Sequence, residues 1–345
     1  MKLPADKVNR LRPFYNGRTV CVTGGAGFIG GHLVDALLSL GSTVRVLDDL
    51  SNSTLEHLAE LIDLEPDRVR FVRGSVLDDD ALADAFNGAA TVFHLAAVGS
   101  VQRSVDDPQR TFSVNATGTL RVLQAAKKTT SLSGAGVERV ILASSSSPYG
   151  DDPHLPRVET QLPAPVSPYA ASKLSAESLV SVYAKTYGMS TIALRLFNVF
   201  GPRQPGNSPY SGVIAAFAEK LLHADAPVIF GDGLQSRDFT YVADAVMAFL
   251  LAGSVKVPPR GEVINIGTGT SVTMLELARA MANAAGVPHI HPQLQPARPA
   301  DVKHSLADIA KARELLGYEP AYTLEAGLHD LIAWRRQAAS ESTNR

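Results

Sequence analysis

Apolar positions follow two alternating periods along this chain. Short runs rich in β-branched and apolar residues, at 18–23, 43–48, 68–73, 91–95, 139–143, 191–196 and 263–266, predict strands. Segments with apolar residues three and four apart fill most of the gaps, and a short lead at 5–11 has the same helical spacing. Strands alternating with helices predict an α/β protein with a parallel, doubly wound sheet and right-handed crossovers. Ligands of such sheets bind beyond the carboxyl ends of the strands, so the residues that follow each strand carry the functional information.

The first strand gives the clearest reading. Thr19-Val20-Cys21-Val22-Thr23 runs into Gly24-Gly25-Ala26-Gly27-Phe28-Ile29-Gly30, and a helical pattern continues from Gly31 to Leu38. The glycines fit two registers, Gly24-x-x-Gly27-x-x-Gly30 and Gly25-x-Gly27-x-x-Gly30, and either suits a dinucleotide. Residues without Cβ let the backbone approach a pyrophosphate, while the free N–H groups of the helix attract it. The second strand ends at Asp48-Asp49. An acid at that spacing bonds a ribose 2'-OH and repels a 2'-phosphate, which favours NAD over NADP.

Composition narrows the class. A chain of 345 residues corresponds to about two domains, or to one large α/β unit with an added lobe. The 45% hydrophobic share permits a full core, and a net charge of -2 provides no global basic field, so no nucleic-acid partner is expected. The single cysteine, Cys21, lies inside the first strand, reads as core, and fits a reducing compartment. No apolar run reaches the ~18 residues of a membrane helix and the opening residues lack a signal peptide's apolar core, so the expectation is a cytoplasmic protein that does not enter a membrane. No Cys/His cluster has zinc spacing, and no metal is expected.

The later strand ends hold the candidate chemistry. Gly74-Ser75-Val76 follows the third strand, and His94-Leu95-Ala96-Ala97-Val98-Gly99 closes the fourth, with small residues against which a flat cofactor could lie. His94 reads as a packed or hydrogen-bonded histidine. The fifth strand leads into Ser144-Ser145-Ser146-Ser147-Pro148-Tyr149-Gly150, which is either a set of hydroxyls for a substrate or an ordinary serine-rich turn. No G-x-S-x-G elbow surrounds these serines, so a hydrolase nucleophile is not supported. Next, Ser167 as N-cap and Pro168 as first residue start a helix that places Tyr169 and Lys173 on one face. A tyrosine of pKa ~10 is a poor base at neutral pH. Lowering it by ~3 units takes ~4 kcal/mol, within reach of a lysine and the positive ring of an oxidised nicotinamide. The plain alternative is an exposed Lys173–Glu177 pair with Tyr169 packed.

Taken together, the glycine turn, Asp48, the serines before Tyr149-Gly150 and Tyr169-x-x-x-Lys173 resemble the extended short-chain dehydrogenase/reductases. More narrowly, the chain resembles the nucleotide-sugar 4-epimerases, close to the bacterial UDP-N-acetylglucosamine 4-epimerases, from about residue 18 to residue 334. The resemblance implies an NAD-binding Rossmann domain at 1–197, rejoined by 235–267, and a smaller UDP-sugar lobe at 198–234 and 268–340. It implies Tyr169 as base, Lys173 as the residue that binds the nicotinamide ribose and eases ionisation of Tyr169, and Ser145 as hydrogen-bond partner of the reacting oxygen. Implied cofactor contacts are Gly24, Gly27, Phe28, Ile29 and Gly30 at the turn, Asp48, Asn52 and Ser53 beyond the second strand, and Ser75, Val76, Leu95, Ala96, Ala97 and Asn115 further on. NAD would be borrowed and regenerated, as a held prosthetic group, and a homodimer would pair the helical patterns at 108–128 and 168–187.

Implied substrate contacts are Ser100, Ser144, Ser145, Ser146, Asn198 and Val213, then Val228 and Phe230 at uracil, Arg237 and Arg298 at the phosphates, and Asp301 and Ser305. Departures from the family pattern narrow the reaction. Related 4,6-dehydratases carry Thr-Asp-Glu where this chain has Ser145-Ser146-Ser147, and related decarboxylases need the glutamate, so simple epimerisation is what remains. Ser75 stands where the family usually has Asp at the adenine, which bears on cofactor affinity. Ser305 borders the sugar's 2-position in the family, and its small side chain leaves room for an acetamido group. UDP-GlcNAc/UDP-GalNAc is therefore the expected pair, with UDP-glucose and UDP-glucuronate open, and a non-catalytic NAD-binding protein is the reading from another class.

Overall fold

A computed structural model describes residues 3–133, 136–206, 212–297 and 302–343. Seven parallel strands form the central sheet: β1 (Thr19–Thr23), β2 (Thr43–Asp48), β3 (Val69–Arg73), β4 (Thr91–His94), β5 (Arg139–Ser145), β6 (Ser190–Leu196) and β7 (Arg260–Ile266). Their order is β7-β6-β5-β4-β1-β2-β3. The chain therefore winds outward in one direction from β1 to β3 and in the other from β4 onward. The switch lies between β1 and β4, whose register pairs Thr23 with His94. A crevice at that point is where a doubly wound sheet takes its ligand.

Alternation along the strands builds a core on each face. Val20 and Val22 pack with Leu33, Leu37, Val246 and Phe249 on one side, while Cys21, Val92 and Leu142 pack with Phe86, Val122 and Val180 on the other. The thiol of Cys21 is fully buried, and that burial pushes its pKa up, so it is inert packing.

The expected helix over 168–187 forms as Pro168–Tyr187. The Ser167 hydroxyl accepts from Ala170 N at 3.1 Å, and Gly188 ends the helix in the left-handed conformation. The pattern at 108–128 is not one helix. It breaks into Pro108–Phe112, a wide π turn at Ser113–Thr117 and Gly118–Ser133. The fifth strand reaches Ser145, so the first two serines of the cluster belong to the sheet rather than to a turn. Beyond β6, three short pairings lie outside the central sheet: Val199–Phe200 with Thr240–Tyr241, Ser236–Arg237 with Val272–Thr273, and Val228–Phe230 with Gln293–Gln295. Among the described residues, no helix is long and apolar enough to cross a membrane.

Candidate active site

Two glycines are required by close approach. Gly24 has φ +72°, and a Cβ on it would lie 2.6 Å from the Ala96 nitrogen at the exit of β4. A Cβ on Gly30 would lie 2.1 Å from the Gly24 carbonyl oxygen. Turn, neighbouring strand end and helix thus meet more closely than any side chain permits. The helix Phe28–Ser39 starts at Gly27 with no capping side chain and no acid in its first turn. Its leading N–H groups are left for an anion, as a pyrophosphate requires.

Asp48 closes this end of the site. Its carboxylate accepts from Ala26 N at 3.0 Å, Leu50 N at 2.9 Å and Ser53 Oγ at 3.1 Å, so it pins the glycine turn as well as facing the crevice. Burial raises its pKa against those hydrogen bonds. Ser75 also faces the crevice, its hydroxyl accepting from Leu77 N at 3.2 Å.

The crevice has a volume of about 770 Å³ and runs from the glycine turn to the serines after β5. Gly24, Gly27, Phe28, Ile29, Gly30, Asp48, Asn52, Ser53, Ser75, Val76, Leu95, Ala96 and Ala97, which the resemblance implies as cofactor contacts, all line it. Sequence reasoning missed Gln102, Arg103, Val114, Gln204 and Pro205. The first two sit on a short helix, Val101–Asp106, which Ser100 caps by accepting from Arg103 N; a serine before an apolar residue was the available signal. Arg103 donates to Asn52 Oδ1, joining two lips of the crevice.

Asn115, expected at the cofactor, is not among the residues lining the crevice. Its Oδ1 accepts from Val98 N at 2.8 Å, while its Nδ2 donates to Ser172 Oγ at 3.0 Å. The π turn therefore presents an amide that fixes the wall rather than a group aimed inward.

His94 is wholly enclosed. Thr119 Oγ1 donates to the Asn115 carbonyl at 2.6 Å, so His94 Nε2 carries a proton toward Thr119 (3.0 Å) and Nδ1 accepts from Thr23 Oγ1 (2.7 Å). Burial, with a smaller contribution from the Lys173 charge, lowers its pKa to about 3. It is a neutral brace behind Leu95-Ala96-Ala97, which fits the structural role expected of it.

At the far end lie Ser145, Tyr169 and Lys173. Ser145 Oγ accepts from Ser147 N at 3.1 Å and donates to Ser147 Oγ at 3.0 Å, and it also bonds the Tyr169 phenol. Lys173 Nζ donates to the Ala143 carbonyl at 2.9 Å and stands 6.0 Å from the centre of the Tyr169 ring. Burial raises the Tyr169 pKa, opposed by the Ser145 hydrogen bond. Burial also lowers Lys173 to about 8, opposed by Glu177. The phenol of the free protein is thus protonated, and the lowering expected from lysine and nicotinamide together belongs to the loaded site.

The alternative of an exposed Lys173–Glu177 pair does not hold. Glu177 is buried and binds Arg195 through both oxygens, at 2.9 and 2.8 Å. Ser144, expected at the substrate, gives its hydroxyl to Glu177 Oε1 at 2.6 Å, although its residue still borders the crevice beside Ser145 and Ser146.

The substrate-side expectations divide. Ser100 and Asn198 line the crevice, and Asn198, at φ +27°, donates from Nδ2 to the Asp238 carbonyl at 3.0 Å. Val213, Val228, Phe230, Arg237 and Ser305 are not among its lining residues. Arg237 Nη1 donates to the carbonyls of Ser236 and Lys303, and Ser305 N donates to the Ser236 carbonyl at 3.0 Å, so the two positions are tied to one another through Ser236. Arg298 and Asp301 lie outside the described residues.

A doubly wound sheet, a glycine turn that leaves helix N–H groups open, an acid after β2 and a Ser/Tyr/Lys group at the end of β5 define an NAD-dependent enzyme of the extended short-chain dehydrogenase/reductase type. The family model of the NAD dependent epimerase/dehydratase family matches residues 20–267, and the chain belongs to that family. A UDP-glucose 4-epimerase of Mycolicibacterium smegmatis is 40% identical over 320 residues, 91% of this chain and 97% of that relative. Among solved structures, a UDP-N-acetylglucosamine 4-epimerase from Methanobrevibacter ruminantium in complex with UDP-N-acetylmuramic acid superimposes with a TM-score of 0.85 at 36% identity, covering 94% of this chain and 99% of that one. A Thermus thermophilus UDP-glucose 4-epimerase in complex with NAD gives 0.80 at 36% identity, over 93% and 99%.

Proposed function

We propose that this protein interconverts two UDP-hexoses that differ at C4, and that the pair is UDP-GlcNAc and UDP-GalNAc. The observation that carries the reaction class is the make-up of the crevice. Ser145 and Tyr169 line one end, with Lys173 buried beside Tyr169 on the Ala143 carbonyl and not itself in the lining, and among the described lining residues the only acids are Asp48 and Asp49, at the other. A dehydration or decarboxylation at the neighbouring carbon needs an acid or base beside the sugar, and Ser146 and Ser147 stand there instead.

In this reading Tyr169 removes the proton of the sugar 4-OH, Ser145 hydrogen-bonds the same oxygen, and Lys173 provides the positive charge that favours the phenolate. Bound NAD supplies the hydride acceptor and, on return, the donor at C4. The 4-keto sugar presents its other face and receives a proton back from Tyr169 as the epimeric alcohol. Residues 1–197 and 235–267 hold NAD, and 198–234 with 268–340 hold the UDP-sugar. The N-acetylated pair follows from the family resemblance at Ser305, a small residue that does not itself line the crevice; UDP-glucose and UDP-glucuronate are the other readings.

A panel of UDP-glucose, UDP-GlcNAc and UDP-glucuronate, followed by separation of the epimers, tests the proposal. Conversion of UDP-GlcNAc at the highest kcat/KM supports it. Conversion of UDP-glucose alone would overturn the sugar choice, and bound NAD with no conversion of any of the three would overturn the reaction. Two chains are proposed to pair through the outer faces around Val101, Val105, Phe112, Val182 and Tyr187, large apolar residues left exposed. Light scattering that finds a monomer would refute the pairing.

A further inference from the structure

Buried polar groups near the site that the proposed reaction does not use are concentrated around Glu177. This carboxylate is enclosed between three elements of the fold. From its own helix it looks back one turn to Lys173 and two turns to Tyr169. From β5 it receives the Ser144 hydroxyl at 2.6 Å, and from β6 it receives Arg195 Nε and Nη2. Arg195 in turn lies over the Tyr149 ring, 4.5 Å from its centre, and the Tyr149 hydroxyl donates to Asn265 Oδ1 of β7 at 2.8 Å.

Ser144 directly precedes Ser145, and Ala143, whose carbonyl holds Lys173, directly precedes Ser144. Three consecutive residues at the end of β5 therefore make three separate attachments: Ala143 to the lysine, Ser144 to Glu177, and Ser145 to the tyrosine. The relative placement of hydroxyl and phenol depends on how the strand end is held against the helix. Of the three attachments only the middle one lies clear of the reacting groups, and it is charge-assisted and short.

We propose that Glu177, held by Arg195 and acting through Ser144, is a positioning residue that sets the strand end carrying Ser145 against the helix carrying Tyr169 and Lys173. This rests on the reading of Tyr169 as the reacting base. Arg195 has a second consequence: its charge cancels that of Glu177, so the net positive charge beside the tyrosine is that of Lys173. The groups that face Lys173 are Tyr169 and Glu177 on its own helix and His94 from β4, with Arg195 of β6 and Tyr149 beyond Glu177. Removing the Glu177 charge takes away the one carboxylate that favours the charged lysine.

Four variants of the NAD-loaded protein decide the matter, with UDP-GlcNAc and UDP-glucose as probes. Ser144→Ala removes one hydroxyl and should lower kcat by about 10-fold or more, with KM and bound NAD unchanged, because loosened geometry costs rate rather than binding. Ser144→Thr, which restores a hydroxyl, should recover part of it. Glu177→Gln keeps an acceptor for Ser144 but loses the charge, and should move the alkaline limb of the kcat profile to lower pH. If Glu177→Gln does not fold, Ser144→Ala decides alone. A Tyr169→Phe protein with wild-type turnover would remove both the reading and the proposal. Wild-type kcat and an unshifted pH profile in Ser144→Ala and Glu177→Gln, beside an inactive Tyr169→Phe, would remove the proposal alone. So would a loss confined to thermal stability.

Discussion

The enclosed His94 makes the stability of this protein sensitive to acid in a calculable way. Its two ring nitrogens are matched to Thr23 and Thr119, and burial holds its pKa at about 3 rather than 6.5. The unfolded chain takes up a proton on this residue below pH 6.5 and the folded chain does not until about pH 3. Its contribution to stability is therefore complete above pH 6.5 and is lost as pH falls toward 3. At 1.36 kcal/mol per unit, the loss is about 2 kcal/mol at pH 5 and about 3 kcal/mol at pH 4. His94→Gln keeps one donor and one acceptor but cannot titrate. Urea unfolding followed by circular dichroism at pH 7.5, 5 and 4 should show the gap between wild type and variant narrowing by those amounts. His32, lowered to about 4 by burial, and Asp244, raised to about 6 by burial, also titrate in this range with opposite sign. Both are present in each protein and cancel in the difference. Parallel curves for the two proteins across this range would refute the neutral, buried histidine.

Other perturbations read the site directly. Gly30→Ala places a Cβ 2.1 Å from the Gly24 oxygen, so the turn must shift by about 1 Å; a loss of about 1–3 kcal/mol and release of NAD on gel filtration are expected, and retention of both would contradict the close approach. Tyr169→Phe should reduce turnover by about 10²–10⁴-fold while the melting temperature and bound NAD hold, measured by epimer separation and absorbance. Asp48→Asn removes the repulsion of a 2'-phosphate, so NADP affinity should rise relative to NAD in a fluorescence titration; an unchanged ratio would assign Asp48 to bracing the turn alone.

Much of the nucleotide-binding half was legible because its signals are local. A strand, a turn without side chains and a helix occupy consecutive residues, and the same holds for Ser167, Pro168, Tyr169 and Lys173. Each depends on periodicity and backbone freedom that a few neighbouring residues fix. Other features were not legible. Ser144 and Asn115 each hold a buried partner that no local pattern marks, because sequence shows that a polar group exists but not which buried partner claims it. Those partners are Glu177, 33 residues away, and Ser172, 57 residues away.

Local residue pattern is enough for the alternation of strands and helices, the glycine turn and the Tyr169/Lys173 face. The assembled fold, in contrast, makes Glu177 pair with Arg195 rather than with Lys173, makes His94 a neutral brace, and joins Asn115 of the π turn to Val98 and Ser172. The physical reason is that a buried polar group must find a partner, and parallel crossovers bring together partners that are distant in the chain. Thr23 and His94, 71 residues apart, stand side by side on neighbouring strands, and that adjacency is a property of the sheet order rather than of any local pattern.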